Sequence, residues 1–309
     1  MSSIYFDSLL KDKQRREAIY QGELFVYSPS KNAIALCAHA RQMIEEAFHP
    51  LDPLTAQHHL KVEEYVAILA ELKPKFIHHP LSKKYVRGIL EESGCNLDKT
   101  YFDVPRMRSV TSHGYLTSGI AYAFHPHRDT WYSAPQCQIN WWLPIYEIES
   151  SNSMAFHPQY WTQPVKNTSR DYNYYQWNAN SRGNAAQHIK KDTRVQPHAE
   201  EDLAIDPQIR AISPVGGTLI FSGAQMHSTV PNLSGKTRFS IDFRTVHLDD
   251  LVNGSGAPNI DSECTGTTLR DYLSAKDLSH LPEPVIAIYD DETSRYSESL
   301  VYQPESTSV

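Results

Sequence analysis

The residues best able to do chemistry in this sequence are two imidazoles and one carboxylate. His127 and Asp129 stand two positions apart, and His227 follows much later in the chain. In an extended segment, residues i and i+2 point to the same side, so His127 and Asp129 can both reach one metal ion. Two histidines and a carboxylate that leave other coordination positions open are the ligand set of non-haem Fe(II) oxygenases. The sequence therefore predicts a metal site at these three residues.

A His-x-Asp triplet is weak evidence by itself, because a chain with fifteen histidines contains about one by chance. A second triplet, His247 with Asp249, has no basic strand after it, and we interpret it as structural. The first triplet is followed by His227 and then by Arg238 at the start of a predicted strand. The alternative is that His127 and His227 are ordinary structural histidines.

The strands that would position these residues are short. Branched and aromatic runs separated by turn residues predict strands at 120–124, 137–145, 218–221 and 238–246. In the last run, phenylalanine and isoleucine alternate with arginine, serine and aspartate, so one face packs on a core and the other lines a polar space. Short strands without long intervening helices favour a sandwich or barrel.

The first hundred residues have a mostly helical pattern. We predict helices at 30–48 with Ser30 as N-cap, at 54–72 with Pro74 interrupting the pattern, and at 82–92 with Gly94 as C-cap. These helices are expected to pack on one side of the strands. The predicted fold class is a mainly β core with N-terminal helices packed on it, α+β overall.

We expect the 309 residues to form a single domain. Its predicted parts are a mainly helical N-terminal part (1–104), a β core (105–248) with a long insertion (160–209), and a C-terminal extension (249–309). A connection as long as the insertion is usually a lid, a binding loop or a disordered excursion. The extension is expected to contain a short helix near 268–275 and to fray from 303 onward.

The insertion is unusually basic. Its part from Lys166 to Arg194 carries six basic and two acidic residues, hence +4, in a chain whose net charge is -7. If the insertion is a lid, this charge favours an anionic substrate, and replacing Arg182 or Lys190 by alanine should weaken its binding. The alternative is a solvated charged loop. Its tyrosines and Trp177 are more simply explained as packing than as a substrate-stacking wall.

The amino-acid composition limits the classes of molecule that we expect this protein to bind. A net charge of -7 leaves no basic footprint for nucleic acid or an anionic membrane surface, so we expect a small-molecule partner. The four cysteines are scattered without a paired motif, which suits a reducing compartment. The N-terminus has neither a signal-peptide core nor a spanning segment, so the expected location is cytoplasmic.

With His127, Asp129, His227 and the later Arg238, the sequence resembles the Fe(II)/2-oxoglutarate-dependent dioxygenases, and within them the phytanoyl-CoA dioxygenase type. The resemblance covers about residues 122–246. It implies a double-stranded β-helix, or jelly roll, with the metal at one mouth. It also implies that Arg238 holds the distal carboxylate of 2-oxoglutarate, for which a guanidinium fork is well shaped.

Three further residues match the family pattern. Ser240 completes an Arg-x-Ser pattern, and Thr229 and Trp142 stand where family members contact the cosubstrate. The implied cofactors are Fe(II), 2-oxoglutarate and O2. The implied activity is hydroxylation of a small metabolite or natural-product intermediate with release of succinate and CO2. His125 shares the parity of His127 and is a candidate for a supporting or substrate contact.

Other reactions or functions would need different residues at these positions. Halogenases of this kind replace the carboxylate ligand by a small residue, so Asp129 argues against halogenation. A cupin-like jelly-roll metal-binding protein or isomerase would need the metal ligands but neither Arg238 nor Ser240. A purely structural β-sandwich predicts no metal at all.

Overall fold

The computed structural model describes residues 3–122, 125–189 and 191–290. The strands are β1 (Ile4–Phe6), β2 (Leu24–Tyr27), β3 (Thr100–Phe102), β4 (Arg106–Val110), β5 (Ile139–Pro144), β6 (Met154–Phe156), β7 (Ile209–Ala211), β8 (Thr218–Ser222), β9 (His227–Thr229), β10 (Arg238–His247) and β11 (Leu273–Ser274). The helices are α1 (Asp12–Ile19), α2 (Lys31–Phe48), α3 (Val62–His78), α4 (Pro80–Glu92), α5 (Tyr174–Asn180), α6 (Leu248–Val252) and α7 (Glu283–Ile286).

The strands form two sheets. The larger has the order β1-β2-β8-β5-β10-β3-β11, and β4 also pairs with β10. Its pairings are antiparallel apart from β1 with β2. The smaller sheet has the antiparallel order β7-β6-β9. Mixed sheets with helices therefore agree with the predicted α+β class.

The larger sheet lies between the helices and the smaller sheet. On one face, the apolar residues of β10 share a core with α2, α3 and α4: Phe239, Ile241 and Phe243 with Leu36, Ile44, Leu69, Phe76 and Val86. On its other face, Trp142, Leu219 and Phe221 pack with Met154 and Phe156 of the smaller sheet. The alternation predicted for β10 is therefore observed, and its polar face lies between the sheets.

Local signals account for most helix ends. Ser30 accepts a hydrogen bond from the Ala33 amide at 3.4 Å and caps α2, as predicted. Gly94 follows α4 with φ +72°, a left-handed conformation typical after a helix. The predicted 54–72 helix differs, because α3 begins at Val62, beside a bond from the Lys61 amide to Glu64, and continues through Pro74.

Three other predicted segments differ in the structure. In the segment predicted as a strand at 120–124, Gly119–Ala121 is a 3-10 turn, and residues 123 and 124 lie outside the described ranges. The 268–275 segment is a 3-10 turn followed by β11, which pairs with β3. Strands β1 and β2, in the part predicted as helical, depend on pairing with each other and with β8. The frayed tail predicted from 303 also lies outside the described residues.

Within the described ranges, no helix combines the length and apolar character needed to cross a membrane.

The core between helices and sheet should carry much of the stability. Phe243 is fully buried and stacks on Trp141, with ring centroids 5.5 Å apart. We expect Phe243→Ala to lower the free energy of unfolding by about 3–5 kcal/mol, measured by urea denaturation. The control Leu9→Ala, at a side chain 99% exposed, should change it by less than about 0.5 kcal/mol. Equal unfolding midpoints for the two variants would contradict this assignment of the core.

Candidate metal and cosubstrate site

The three residues predicted to bind metal meet between the sheets. One ligand atom from each of His127, Asp129 and His227 lies within 4.8 Å of the others, and all three residues are buried. The Nε2 atoms of His127 and His227 lie 3.6 Å and 4.0 Å from Asp129 Oδ1. Two imidazole nitrogens and one carboxylate oxygen facing a common point form a donor set suited to iron.

Backbone pairing brings the ligands together. His127 and His227 form an antiparallel bridge, in which each backbone amide donates to the other's carbonyl at 3.0 Å. This bridge places His127 beside β9, next to the smaller sheet. The Asp129 amide donates to the Gly223 carbonyl at 2.8 Å, just after β8. Ligands that are distant in sequence are thus fixed by main-chain hydrogen bonds.

Each imidazole is oriented by a carbonyl two residues earlier. His127 Nδ1 lies 2.8 Å from the His125 carbonyl oxygen, and His227 Nδ1 lies 2.9 Å from the Gln225 carbonyl oxygen. With Nδ1 donating a proton, each Nε2 keeps its lone pair for a metal. His125 therefore contributes through its backbone, and its side chain is exposed.

Electrostatics keep the ligands in the metal-binding protonation state. Burial alone would raise the pKa of Asp129, but the charge of Arg244 and the two histidines lower it below its ordinary value. Burial, helped by the charge of His127, lowers the pKa of His227 to about 4. At neutral pH the carboxylate is ionised and the His227 imidazole is neutral, as metal coordination requires.

Three of the four residues predicted to bind the cosubstrate, Arg238, Ser240 and Trp142, lie on the larger sheet, on the face toward the smaller one. Arg238 is buried, and its guanidinium lies 5.6 Å from the centre of the Trp142 ring. Arg238 Nη1 donates to the Asn152 and Ser153 carbonyls at 3.1 Å and 3.0 Å. Burial lowers the pKa of Arg238 to about 10, so it remains charged at neutral pH.

Ser240 and Thr229 lie on neighbouring strands. Ser240 shares the polar face of β10 with Arg238 and is fully buried. Thr229 follows His227 by two positions on β9 and therefore points to the same side of the smaller sheet. The structure thus brings Arg238 close to Trp142, with Ser240 on their strand face, and shows no direct contact from Thr229 to Arg238 among the described residues.

Tyrosines pack beside the metal ligands. Tyr132 meets the His127 ring edge-on, with centroids 5.5 Å apart, and Tyr172 of the insertion meets Tyr132 at the same distance. Tyr172 is buried and stays close to Trp177, at 6.3 Å. The insertion therefore reaches the edge of the metal site, and its aromatic cluster is largely internal packing.

The positive charge of the insertion is mostly neutralised. Each of its three arginines up to position 194 forms an ion pair of 3.0 Å or less: Arg170 with Glu200, Arg182 with Asp271, and Arg194 with Asp192. Lys191 is exposed, and Lys190 lies outside the described residues. The net charge of +4 therefore does not form a free basic surface in the described part.

The C-terminal extension contacts the segment 127–131, called the ligand segment because it carries the metal ligands His127 and Asp129. Asp261 accepts hydrogen bonds from Arg128 Nε at 3.0 Å and from Trp131 Nε1 at 2.8 Å. It also accepts one from the Val165 amide at 3.0 Å, at the start of the insertion. Arg128 and Trp131 flank the metal ligand Asp129, so one carboxylate ties the ligand segment, the insertion and the extension together.

Sequence reasoning missed several residues that surround Asp129. Gln138, Asn140 and Arg244 contact its carboxylate, and Tyr272 contacts Gln138. The alternation predicted for 238–246 placed Arg244 on a polar face, and the same alternation in the run 137–145 puts Gln138 and Asn140 opposite Ile139 and Trp141, which was the available signal. For Tyr272 and Asp261 there was none, because only the folded extension brings them to the site.

Comparison by sequence finds no relatives: no protein-family model and no curated protein matches the chain. Solved structures similar to it include EvdO2 from Micromonospora carbonacea var. aurantiaca complexed with 2-oxoglutarate (14% identity, 77% of this chain, 91% of that chain, TM-score 0.43). Another is the epimerase SnoN in complex with Fe3+, alpha ketoglutarate and nogalamycin RO (12% identity, 83% of this chain, 98% of that chain, TM-score 0.39). A third is ThoJ, a non-haem monooxygenase (12% identity, 70% of this chain, 69% of that chain, TM-score 0.36).

All three are less than 25% identical to this chain and have TM-scores below 0.5, and their ligands and reactions are properties of those proteins. The narrower resemblance to the phytanoyl-CoA dioxygenase type is not confirmed. At TM-scores below 0.5 the superpositions carry no argument about chemistry, which rests on the residues of the site.

The buried pair of Arg128 and Asp261 should be essential to the ligand segment, since both side chains are almost fully buried. We expect Asp261→Asn to lower the free energy of unfolding by about 3 kcal/mol or more, because a buried guanidinium loses its counter-charge. The matched control Glu200→Gln breaks the more exposed pair with Arg170 and should leave the free energy of unfolding close to that of the wild-type protein. Urea denaturation of both variants measures this, and equal losses would show that Arg128 does not depend on Asp261.

Proposed function

We propose that this protein is an Fe(II)- and 2-oxoglutarate-dependent oxygenase that hydroxylates a small metabolite or natural-product intermediate. The observation that carries the proposal is Arg238, a buried arginine that forms no ion pair with a carboxylate among the described residues, on the sheet face that also borders the His127, Asp129 and His227 triad. A metal site alone fits many proteins, whereas a metal site beside a buried anion receptor fits a chelating keto acid.

The triad fits iron. It offers two imidazoles and a carboxylate on one side of the site, the set found where iron needs open positions for cosubstrate and O2. When bound, iron and 2-oxoglutarate would activate O2, which is the oxidant: one oxygen atom would enter succinate as 2-oxoglutarate loses CO2, and the other would enter the hydroxylated product.

Arg238 and Ser240 fit the distal carboxylate of 2-oxoglutarate. Within the described ranges, neither Arg238 Nε nor Ser240 Oγ has a hydrogen-bond partner, although both atoms are buried. Buried donors are normally paired, so these two call for an acceptor. A carboxylate would satisfy both, and the guanidinium would hold it in one orientation. Trp142 lies against Arg238 and excludes water from that end, and Thr229 lies on the side of β9 that carries His227.

We infer that the core is a double-stranded β-helix. The segments β4, β5, β8 and β10 lie in the larger sheet, β6, β7 and β9 form the smaller one, and the His127 segment is bridged to β9 at the side of the smaller sheet. Along the chain these segments pass repeatedly from one sheet to the other. Eight segments in two facing sheets are the pattern of a jelly roll. We also propose that the chain is a single domain and acts in the cytoplasm, with its four cysteines as free thiols.

For the substrate, the protein provides a partly apolar rim. Tyr132 and Tyr122 are half-buried near His127, and paired charges of the insertion lie around them. We propose that the substrate enters on this side, where it meets tyrosine rings and the exposed His125. An anionic substrate would depend on Lys190 and Lys191, since the arginines of the insertion are already ion-paired.

The decisive variant is Arg238→Ala. It should abolish 2-oxoglutarate binding and leave metal binding intact, because among the described residues no hydrogen bond or ion pair joins Arg238 to a metal ligand. The measurement is the visible charge-transfer band of the chelate on anaerobic addition of Fe(II) and then 2-oxoglutarate. Removing a charged, buried hydrogen-bonding partner should weaken cosubstrate affinity about 100-fold or more.

Arg210 provides a matched control. Its Nη1 also donates to a backbone carbonyl of the same loop, that of Ser150 at 2.8 Å, but its side chain is exposed. Arg210→Ala should retain the band at unchanged 2-oxoglutarate affinity. A wild-type protein that binds metal and never gives the band would favour the cupin-like alternative, and one that binds no metal would refute the site.

A further inference from the structure

We propose that Gln138, Asn140 and Arg244 are positioning residues that hold Asp129 as a one-oxygen metal ligand, and that Tyr272 orients Gln138 for this task. The inference rests on the metal site of the proposed function. It assigns to this site residues that are not themselves metal ligands: Gln138 just before β5, Asn140 on β5, Arg244 on β10 and Tyr272 in the C-terminal extension.

The two oxygens of Asp129 have different surroundings. Oδ1 faces the Nε2 atoms of both histidines, at 3.6 Å and 4.0 Å. Oδ2 accepts hydrogen bonds from Gln138 Nε2 and Asn140 Nδ2, each at 2.9 Å. Two amide donors on Oδ2 prevent the carboxylate from rotating, so only Oδ1 is presented to a metal.

Arg244 adds a fixed positive charge on the same oxygen. Its Nε lies 3.5 Å from Asp129 Oδ2. The guanidinium is held by Asp103, at 3.1 Å, and lies 3.7 Å from Asp242. Because these two carboxylates flank it, Arg244 cannot turn away from Asp129 without leaving its own ion pairs. Charge and hydrogen bonds therefore act on one oxygen and leave the other for coordination.

Tyr272 decides which way the Gln138 amide points. Its hydroxyl donates to Gln138 Oε1 at 2.8 Å, which turns Nε2 toward Asp129. Gln138 Nε2 also donates to Asn140 Oδ1 at 2.9 Å, so that the two amides support each other. The three side chains form a continuous buried network that begins in the extension and ends on the metal ligand.

The main chain leaves room for this network at Gly223. A Cβ atom on Gly223 would lie 3.1 Å from Gln138 Nε2, closer than nearly all real contacts of such an atom. The Gly223 carbonyl accepts from the Asp129 amide, and its own amide donates to the Gln138 carbonyl at 2.9 Å. A glycine here therefore lets the ligand and its supporting amide approach each other.

A one-oxygen carboxylate has a consequence for reactivity. Together with two imidazoles it fills three coordination positions, so an octahedral metal keeps three for a chelating cosubstrate and O2. A carboxylate free to bind through both oxygens would occupy one of them. The network thus protects the open positions on which the proposed chemistry depends.

The test is titration of the metal-free protein with Co(II), whose visible spectrum reports the number and geometry of ligands. Gln138→Met keeps the length of the side chain and removes both amide contacts. We expect it to weaken Co(II) binding about 10- to 100-fold and to change the Co(II) spectrum. Tyr272→Phe, which removes one hydroxyl, should weaken binding by a smaller factor and shift the spectrum in the same direction.

A double variant tests the order of the network. If Tyr272 acts through Gln138, then Gln138→Met combined with Tyr272→Phe should bind Co(II) no more weakly than Gln138→Met alone. Ile139→Val is the matched control, because Ile139 lies between the two amide residues on β5 and points to the helix side. It should leave the Co(II) affinity and spectrum unchanged.

The outcomes separate the two proposals. No Co(II) binding by the wild-type protein would refute the metal site and with it the proposed function. Wild-type binding with an unchanged affinity and spectrum in Gln138→Met would refute the positioning role alone. Additive losses in the double variant would refute the order assigned to Tyr272. Thermal melts of the metal-free variants identify any loss of Co(II) binding that comes from unfolding. If Gln138→Met unfolds, the Co(II) affinity and spectrum of Tyr272→Phe test the positioning role in its place.

Discussion

The buried carboxylate of Asp129 is the constraint on which this structure depends. An ion in a protein interior is costly unless charges and hydrogen bonds replace the water it has lost. Here the replacement comes from Arg244, Gln138 and Asn140, all acting on Oδ2. These contacts leave Oδ1 facing the histidines. They therefore both stabilise the buried carboxylate and orient it for metal binding. Stability and function are therefore coupled at one oxygen atom.

The polar face between the sheets extends this logic along β10. Asp242 is paired with Arg108 at 2.5 Å, and Arg244 is paired with Asp103. Among the described residues, Arg238 differs from these paired side chains, because its hydrogen bonds go to the Asn152 and Ser153 backbone carbonyls. Carbonyls satisfy hydrogen bonds without cancelling the charge. The charges on this face are thus paired near the metal ligands and leave an excess positive charge at Arg238. That distribution suits an anion that extends from the metal ligands to Arg238.

The C-terminal extension is an integral support of the site. It supplies Asp261 to the ligand segment, Asp271 to the insertion and Tyr272 to the Asp129 network. Each contact is polar and at least partly buried, so loss of any one leaves another group unsatisfied. The insertion is consequently anchored by residues of the extension that come almost a hundred positions later, and Arg182 is the arginine that pairs with one of them, Asp271.

The sequence by itself determined the features that depend on local order. These were the helices capped at Ser30 and near Gly94, the alternation of β10, and the choice of His127, Asp129 and His227. Periodicity and ligand type are properties of short segments, so they can be recognised without a fold. Only the tertiary structure decided which polar residues surround Asp129, that α3 continues through Pro74, and that segments 100–102 and 273–274 pair as strands. Those outcomes depend on long-range pairing and on charges meeting in a low-dielectric interior, and a local pattern contains neither.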